Sequence, residues 1–362
     1  MTNAIESWFK FRGDGGYDGG YEEGKEKRRF EPPDPPPWRQ FANTEKNPRL
    51  NRGKNFIPPP GSLRLINAAI YLRRPLLVTG KPGTGKTSLA YALAEELGLE
   101  LLRWNIGTRS TLKDALYRYD AIARVQDKKQ DPKDIGDYMR LGPLGSALWS
   151  EPDKPKVLLV DEIDKSDIDL PNDLLHVLEE GRFEIPELRR IKELVDKPIL
   201  VEMDRPAFVG ASEPGSPPES TVMDERSESK QAEMDERSES KQAEIVNGEV
   251  TCKQFPLVVM TSNGERDFPP AFLRRCLRLE MEEPDEKRLK QIVSNYLGED
   301  VEAIDAKYGE LIQAFKDLRD SNMLATDQLL NAVHLVSKGQ IDVKDNKALE
   351  SLKSAMFQPL DK

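Results

Sequence analysis

Between residues 62 and 283, short apolar runs alternate with longer stretches whose apolar positions recur every three or four residues, the rhythm of strands interleaved with helices. Ser62 is expected to cap a helix that carries Leu65, Ile66, Ala69, Ile70 and Leu72 on one side. The run Leu76-Leu77-Val78 predicts a buried strand, and Leu89, Leu93 and Leu97 predict a helix stopped by Gly98. A second strand is expected over Leu99–Trp104, followed by a helix through Leu112, Leu116 and Tyr119 and a polar loop over 127–137. The third strand, Val157–Val160, ends on Asp161-Glu162, and Leu174, Leu175, Val177 and Leu178 place a helix close behind. Leu257–Thr261 and Cys276–Leu279 predict the fourth and fifth strands. Such alternation implies a parallel sheet with helices on both faces.

The rhythm changes at both ends and once in the middle. After Pro284 only helical spacing remains, through Leu289 to Leu297, Ile304 to Phe315, a helix beginning near Thr326, and one covering about 346–357. Residues 1–60 are rich in Gly, Pro and charge and do not carry enough apolar surface to order themselves. Trp38 and Phe41 are candidates to anchor this tail, and Lys25, Lys27, Arg28 and Arg29 form a small basic cluster. Residues 182–254 interrupt the alternation with strand-like pieces at Phe183–Ile185 and Ile199–Met203. Within them Met-Asp-Glu-Arg-Ser-Glu-Ser-Lys-Gln-Ala-Glu at 223–233 recurs unchanged at 234–244. Only Met and Ala are apolar in each copy, a composition that predicts a disordered loop rather than a helix. The expected plan is a low-complexity tail over 1–60, an α/β core over 61–283 with the 182–254 insertion, and a helical domain over 284–362.

Charge and cysteine content narrow the function classes. The net charge is −10, of which the two repeat copies supply four, so nucleic acid is an unlikely partner unless a local basic patch exists. Two cysteines, Cys252 and Cys276, do not make a disulfide framework, and both are expected as small buried hydrophobes in a reducing cytoplasm. No run of 18 apolar residues predicts a membrane span. His176 and His334 lie on amphipathic helices far apart in sequence and are read as structural.

The chemistry concentrates after the first strand. Gly80, Lys81, Pro82, Gly83, Thr84, Gly85, Lys86 and Thr87, with Ser88 following, fit the P-loop spacing G-x-x-x-x-G-K-[ST] between a strand and a helix. In such a loop backbone N–H groups cradle phosphates, Lys86 bridges the outer ones, and Thr87 offers its hydroxyl to Mg²⁺. Asp161, closing an apolar strand, is the candidate metal carboxylate, and Glu162 the candidate to polarise the attacking water. If the strand ending in Asn263 lies between the other two, Asn263 faces the terminal phosphate and positions water. Arg274 and Arg275, at a helix end, suit a multi-donor contact with phosphate oxygens. At the edge of their own subunit, they are expected to serve a neighbour's nucleotide.

Gly-Lys-Pro-Gly-Thr-Gly-Lys-Thr, Leu-Leu-Val-Asp-Glu-Ile-Asp-Lys, Val-Met-Thr-Ser-Asn and Phe-Leu-Arg-Arg-Cys together resemble an AAA+ ATPase, and more narrowly the MoxR branch. Gly142-Pro143-Leu144 and the segment 174–181 add to that likeness, which covers 62 to about 340. The resemblance implies a P-loop NTPase αβα sandwich with a five-stranded parallel sheet and a helical lid. It also implies ATP and Mg²⁺ held at a subunit interface, a homo-oligomeric hexameric ring, and a protein client that the ring remodels. In it, residues 182–254 hold the hairpin that precedes the fourth strand, and the finger arginine corresponds to Arg275, with Arg274 in reserve. Two departures stand out: Asp164-Lys165 replaces the family's Asn-Arg, and Asn322–Ser337 contains no arginine for a lid sensor. A slow nucleotide-dependent switch or scaffold, and a DNA-directed motor of the same fold, remain open as alternatives.

Overall fold

The computed structural model of the chain describes residues 33, 35–36, 53–127, 131–151, 154–195, 197–209, 241–341 and 345–360. The anchor candidates Trp38 and Phe41, the basic cluster of the tail and the repeat up to residue 240 lie outside the described residues. Two compact units account for the chain, one over Arg49–Glu283 and one beginning at Pro284.

The first unit is organised by five parallel strands: β1 (Leu76–Thr79), β2 (Glu100–Asn105), β3 (Val157–Asp161), β4 (Leu257–Ser262) and β5 (Leu277–Glu280). Their spatial order is β5-β1-β4-β3-β2, so β4 lies between β1 and β3 as the role of Asn263 requires. A two-residue strand, Phe208–Val209, adds itself antiparallel to the free edge of β2. Side chains alternate across the sheet with the two-residue period of a strand. Leu76, Val78, Leu101, Val157, Leu159 and Val259 pack on one face beneath helices Ser62–Leu72 and Lys86–Glu96. Leu77, Leu102, Leu158, Val160, Val258 and Met260 pack on the other, with helices Pro143–Leu148 and Leu170–Glu180. Both faces are dry, which is why these strands read as continuous apolar runs.

Several local expectations change. Gly61, at φ 80°, takes the N-cap position expected of Ser62, whose hydroxyl turns inward and donates to the Pro59 carbonyl at 2.7 Å. Leu72, expected on the buried side, is 59% exposed, whereas Ile66 and Ala69 are buried and Leu65 and Ile70 pack partly buried against the same core. Ordered structure starts earlier than residue 61, since Phe56 packs into the core beside the P-loop helix. The helix expected to reach Tyr119 ends at Leu116, and the alternating Tyr117-Arg118-Tyr119 forms a strand paired antiparallel with Met139–Leu141. Part of the expected polar loop is a 3₁₀ helix over Pro132–Tyr138 that buries Ile135.

Met139–Leu141 meets Ile199–Glu202 in parallel, and Ile199–Glu202 pairs antiparallel with Gln242–Ile245. The segment after β2 and the 182–254 insertion therefore build one four-stranded sheet, and the last residues of the second repeat copy lie in it. Gly142 sits where this sheet joins the core. A Cβ there would overlap the carbonyl oxygens of Asp114 and Ala115, backbone atoms with nowhere to move. Gly142→Ala is expected to cost about 1–3 kcal/mol of overpacking and to lower the thermal midpoint by roughly 2–12 °C for a unit of this size. Calorimetric melts of the two proteins would check this.

The second unit is helical, with Glu286–Leu297, Val301–Arg319, Thr326–Ser337 and Asn346–Met356. Leu289, Val293, Ile304, Ile312, Phe315 and Leu329 form its core. Arg319 is buried, donating to the Pro284 carbonyl at 2.6 Å with its guanidinium over the Phe315 ring. Gln328 ties the third helix to the end of the fourth through the Met356 and Gln358 carbonyls. Among the described residues no helix is long and apolar enough to cross a membrane.

Candidate active site

The turn between β1 and its helix adopts backbone that side chains resist. Gly80, Gly83 and Gly85 have φ of 148°, 78° and 90°, and a Cβ on Gly80 would lie 2.5 Å from the Met281 carbonyl oxygen. Thr84 closes the turn by donating to the Lys81 carbonyl at 2.9 Å, and Lys81 pairs with Glu283 at 3.1 Å. Helix Lys86–Glu96 starts at once, with Thr87 and Ser88 in its first turn beside Lys86 and Pro82 at the bend of the loop. That placement points free N–H groups of a helix N-terminus into the loop, the arrangement that attracts phosphate. Lys86 Nζ lies inside the loop and donates to the carbonyls of Gly80 at 2.6 Å and Lys81 at 2.8 Å. Burial lowers the pKa of this ammonium, while Asp164, Asp161 and Glu162 pull the other way.

Asp161 ends β3 almost fully buried. Its Oδ1 accepts the hydroxyls of Thr87 at 3.0 Å and Thr261 at 2.6 Å, and its Oδ2 accepts Arg103 at 2.6 Å. A hydroxyl and a carboxylate held together at the mouth of a phosphate-sized loop fit Mg²⁺, a hard cation that takes oxygen ligands. Bound there, the ion would supply positive charge to the phosphate oxygens. Glu162 follows in left-handed backbone, φ 61° and ψ 49°, with its N–H donated to Thr261 Oγ1 at 2.9 Å. Such a conformation in a non-glycine residue costs roughly 1–3 kcal/mol and marks a site that its surroundings over-determine. The Glu162 carboxylate is held at 2.9 Å by Lys165.

Asn263 extends β4 on the P-loop side of the sheet. Its N–H donates to Asp164 Oδ2 at 2.9 Å and its side-chain amide to Glu265 at 3.4 Å. The structure thus brings Gly80–Ser88, Asp161, Glu162 and Asn263 to one end of the sheet. Arg274 and Arg275 are not among them. They precede β5, and because β5 runs parallel to β1 they lie at the opposite end of the sheet from the P-loop. Arg74, just before β1, donates to the carbonyls of both, with Arg275 at 3.1 Å. Arg275 pairs through Nε with Glu179 at 2.5 Å, whereas Arg274 is exposed and has no ion pair among the described residues.

Three contributors have no role assigned by the motifs. Arg103 interrupts the apolar run of β2, and that break in pattern was its signal. Asp164 accepts two N–H groups of the loop after β4, from Asn263 and Glu265, and so shapes the sensor segment. Lys165, whose role the family likeness leaves open, occupies the Glu162 carboxylate. His176 is exposed on its helix, burial lowers the pKa of His334, and no His/Cys/Asp/Glu cluster suited to a metal occurs among the described residues. Cys276 is buried, its thiol pushed up to about 12, and neither cysteine forms a disulfide.

Residues 75–276, more than half of the chain, match the family described as AAA domain (dynein-related subfamily). The chain is 30% identical over 145 residues to the replication factor C large subunit of Nanoarchaeum equitans, covering 37% of this chain and 28% of that protein. It is 29% identical over 133 residues to the same-named protein of Archaeoglobus fulgidus, covering 37% of this chain and 23% of the relative. The chain thus spans about a quarter of the length of these curated relatives. A solved structure from Cytophaga hutchinsonii, described as a candidate ATPase, is similar at 13% identity and a TM-score of 0.35, over 75% of this chain and 66% of that one. At that TM-score the likeness adds nothing to the fold or function described.

Proposed function

The chain belongs to the AAA domain family, dynein-related subfamily, and is an AAA+ ATPase; from that premise we propose that it is a MoxR-like member that hydrolyses ATP in a ring and remodels a protein client. The observation that carries the ring is the position of Arg274 and Arg275. An arginine that stabilises charge on the transferring phosphoryl group must reach it, yet a strand of four residues, about 13 Å of chain, separates these arginines from their own P-loop. They suit a site completed between copies, and closed point-group symmetry makes a ring the natural product of such a head-to-tail contact. A hexamer is the size proposed. In each site Lys86 and the loop N–H groups bind the phosphates, Thr87 and Asp161 suit the metal, Glu162 takes the proton of the attacking water, and Asn263 orients that water.

A mixing experiment tests this reading. Arg274→Ala/Arg275→Ala subunits and Lys86→Ala subunits are each expected to hydrolyse ATP at least about a hundredfold more slowly than the parent. Mixed, they regain activity, because an intact P-loop then meets an intact arginine pair from its neighbour. Activity no greater than the sum of the two separate proteins would sink the trans arrangement.

The second reading, a DNA-directed motor, is favoured by the likeness to proteins named as replication factor C large subunits. It predicts hydrolysis stimulated by DNA with a steep salt dependence. The net charge of −10 weighs against it.

A further inference from the structure

A cavity of about 720 Å³ opens between the end of β2 and the four-stranded inserted sheet. None of the phosphate-loop residues lines it, nor do Asp161, Glu162 or Asn263. Its wall holds four arginines, Arg103, Arg109, Arg118 and Arg140, against two carboxylates, Asp114 and Asp204.

The arginines are placed at a cost. Arg118 and Arg140 stand directly opposite each other on antiparallel strands, an arrangement in which like charges destabilise the pair. Arg140 finds partial relief in Asp204 at 3.5 Å, and Glu202 lies in register on its other side. Burial raises the pKa of Asp204, while Arg140 and Arg118 pull it the other way. The Asp114 carboxylate is taken by the Thr111 hydroxyl. Arg118 and Arg109 are exposed and have no ion pair among the described residues. The Nε atoms of Arg103 and Arg140 are buried and have no hydrogen-bond partner among the described residues. A buried charged donor left unsatisfied in this way is retained at the expense of stability.

We propose that this cavity is a second anion site, separate from the ATP site, that takes a small organic phosphate of about nucleotide size. Guanidinium groups offer planar pairs of N–H donors that match phosphate oxygens, which suits several arginines around one volume better than lysines would. The volume falls inside the roughly 300–1,000 Å³ of small-molecule pockets. Trp104, Ile106, Leu141 and Pro143 add an apolar wall for the organic part. Arg103 gives the site a line to the chemistry. Its guanidinium holds Asp161 at 2.6 Å and also lines the cavity, so a phosphate drawn to Arg103 redistributes the cation that Asp161 now holds.

The test uses the full chain carrying Lys86→Ala, which weakens the P-loop's own hold on phosphate, titrated with inorganic pyrophosphate in a calorimeter. One saturable site is expected, with its Kd raised at least tenfold when Arg118→Ala or Arg109→Ala is added. Without pyrophosphate, Arg118→Ala is expected to melt at or above the temperature of its parent, because it removes a like-charge pair and no hydrogen bond. That result separates lost binding from lost fold. The proposal is overturned by absence of saturable binding to Lys86→Ala, or by binding indifferent to both arginines. It is equally overturned if a single-stranded oligonucleotide binds through these arginines and pyrophosphate does not, which would make the cavity part of a nucleic-acid track.

Discussion

Glu162→Gln is expected to bind ATP as the parent does and to hydrolyse it about 10²–10⁴-fold more slowly, the usual contribution of a positioned general base. The substitution keeps the size of the side chain and leaves the backbone where its neighbours hold it. The N–H of residue 162 remains donated to Thr261, and that hydroxyl in turn donates to Asp161. What disappears is the carboxylate that accepts the water's proton, together with its ion pair to Lys165. Phosphate release in a single turnover, measured beside nucleotide affinity, separates the two effects. Hydrolysis at the parental rate would remove Glu162 from the chemistry. Lys165→Ala offers a contrast: it frees the carboxylate without removing it and leaves the base in place.

Lys86→Ala is expected to raise the Kd for ATP roughly 10–100-fold, the equivalent of about one hydrogen bond from a charged donor. The ammonium sits inside the loop on the Gly80 and Lys81 carbonyls, so the binding partner is already positioned before phosphate arrives. Its pKa is lowered by burial, which fixes the sign of a pH effect. The folded protein holds this proton less tightly than the unfolded chain does. The cost to stability is therefore complete below the lowered pKa and is relieved as pH rises towards 10.5, the ordinary lysine value. Nucleotide binding has the opposite dependence, because phosphates need the charged form. In the parent, ATP affinity is expected to fall in the alkaline range at a lower pH than an exposed lysine would allow. In Lys86→Ala that portion of the pH dependence should be absent. Equilibrium nucleotide titrations across pH would reveal it.

What the amino-acid pattern made legible was whatever depends on neighbours along the chain. The P-loop needs a strand, three glycines, a lysine and a hydroxyl within a dozen residues, and all are consecutive. β3 and β4 announce themselves because both faces are buried, so their apolar runs are unbroken. Contacts between distant segments were hidden. Arg103 meets Asp161 across 58 positions, and Asp164 reaches the N–H of Asn263 across 99. The pairing of Met139–Leu141 with Ile199–Glu202 joins two insertions that look independent in sequence. Helix ends depart from the local pattern where tertiary contacts outweigh propensity, as at Ser62, which buries its hydroxyl instead of capping.

The turn that holds Arg274 and Arg275 is fastened by Arg74, and two residues later the chain becomes β1, which delivers the P-loop at its far end. β1 is hydrogen-bonded on both sides, to β5 and to β4, and so has little freedom to bend. A stiff rod with a phosphate receptor at one tip and an arginine clamp at the other behaves as a lever. In the assembly proposed, each copy would feel its own nucleotide at one end and touch its neighbour's at the other. Cutting the Arg74 fastening would then leave both sites chemically complete but mechanically deaf to each other.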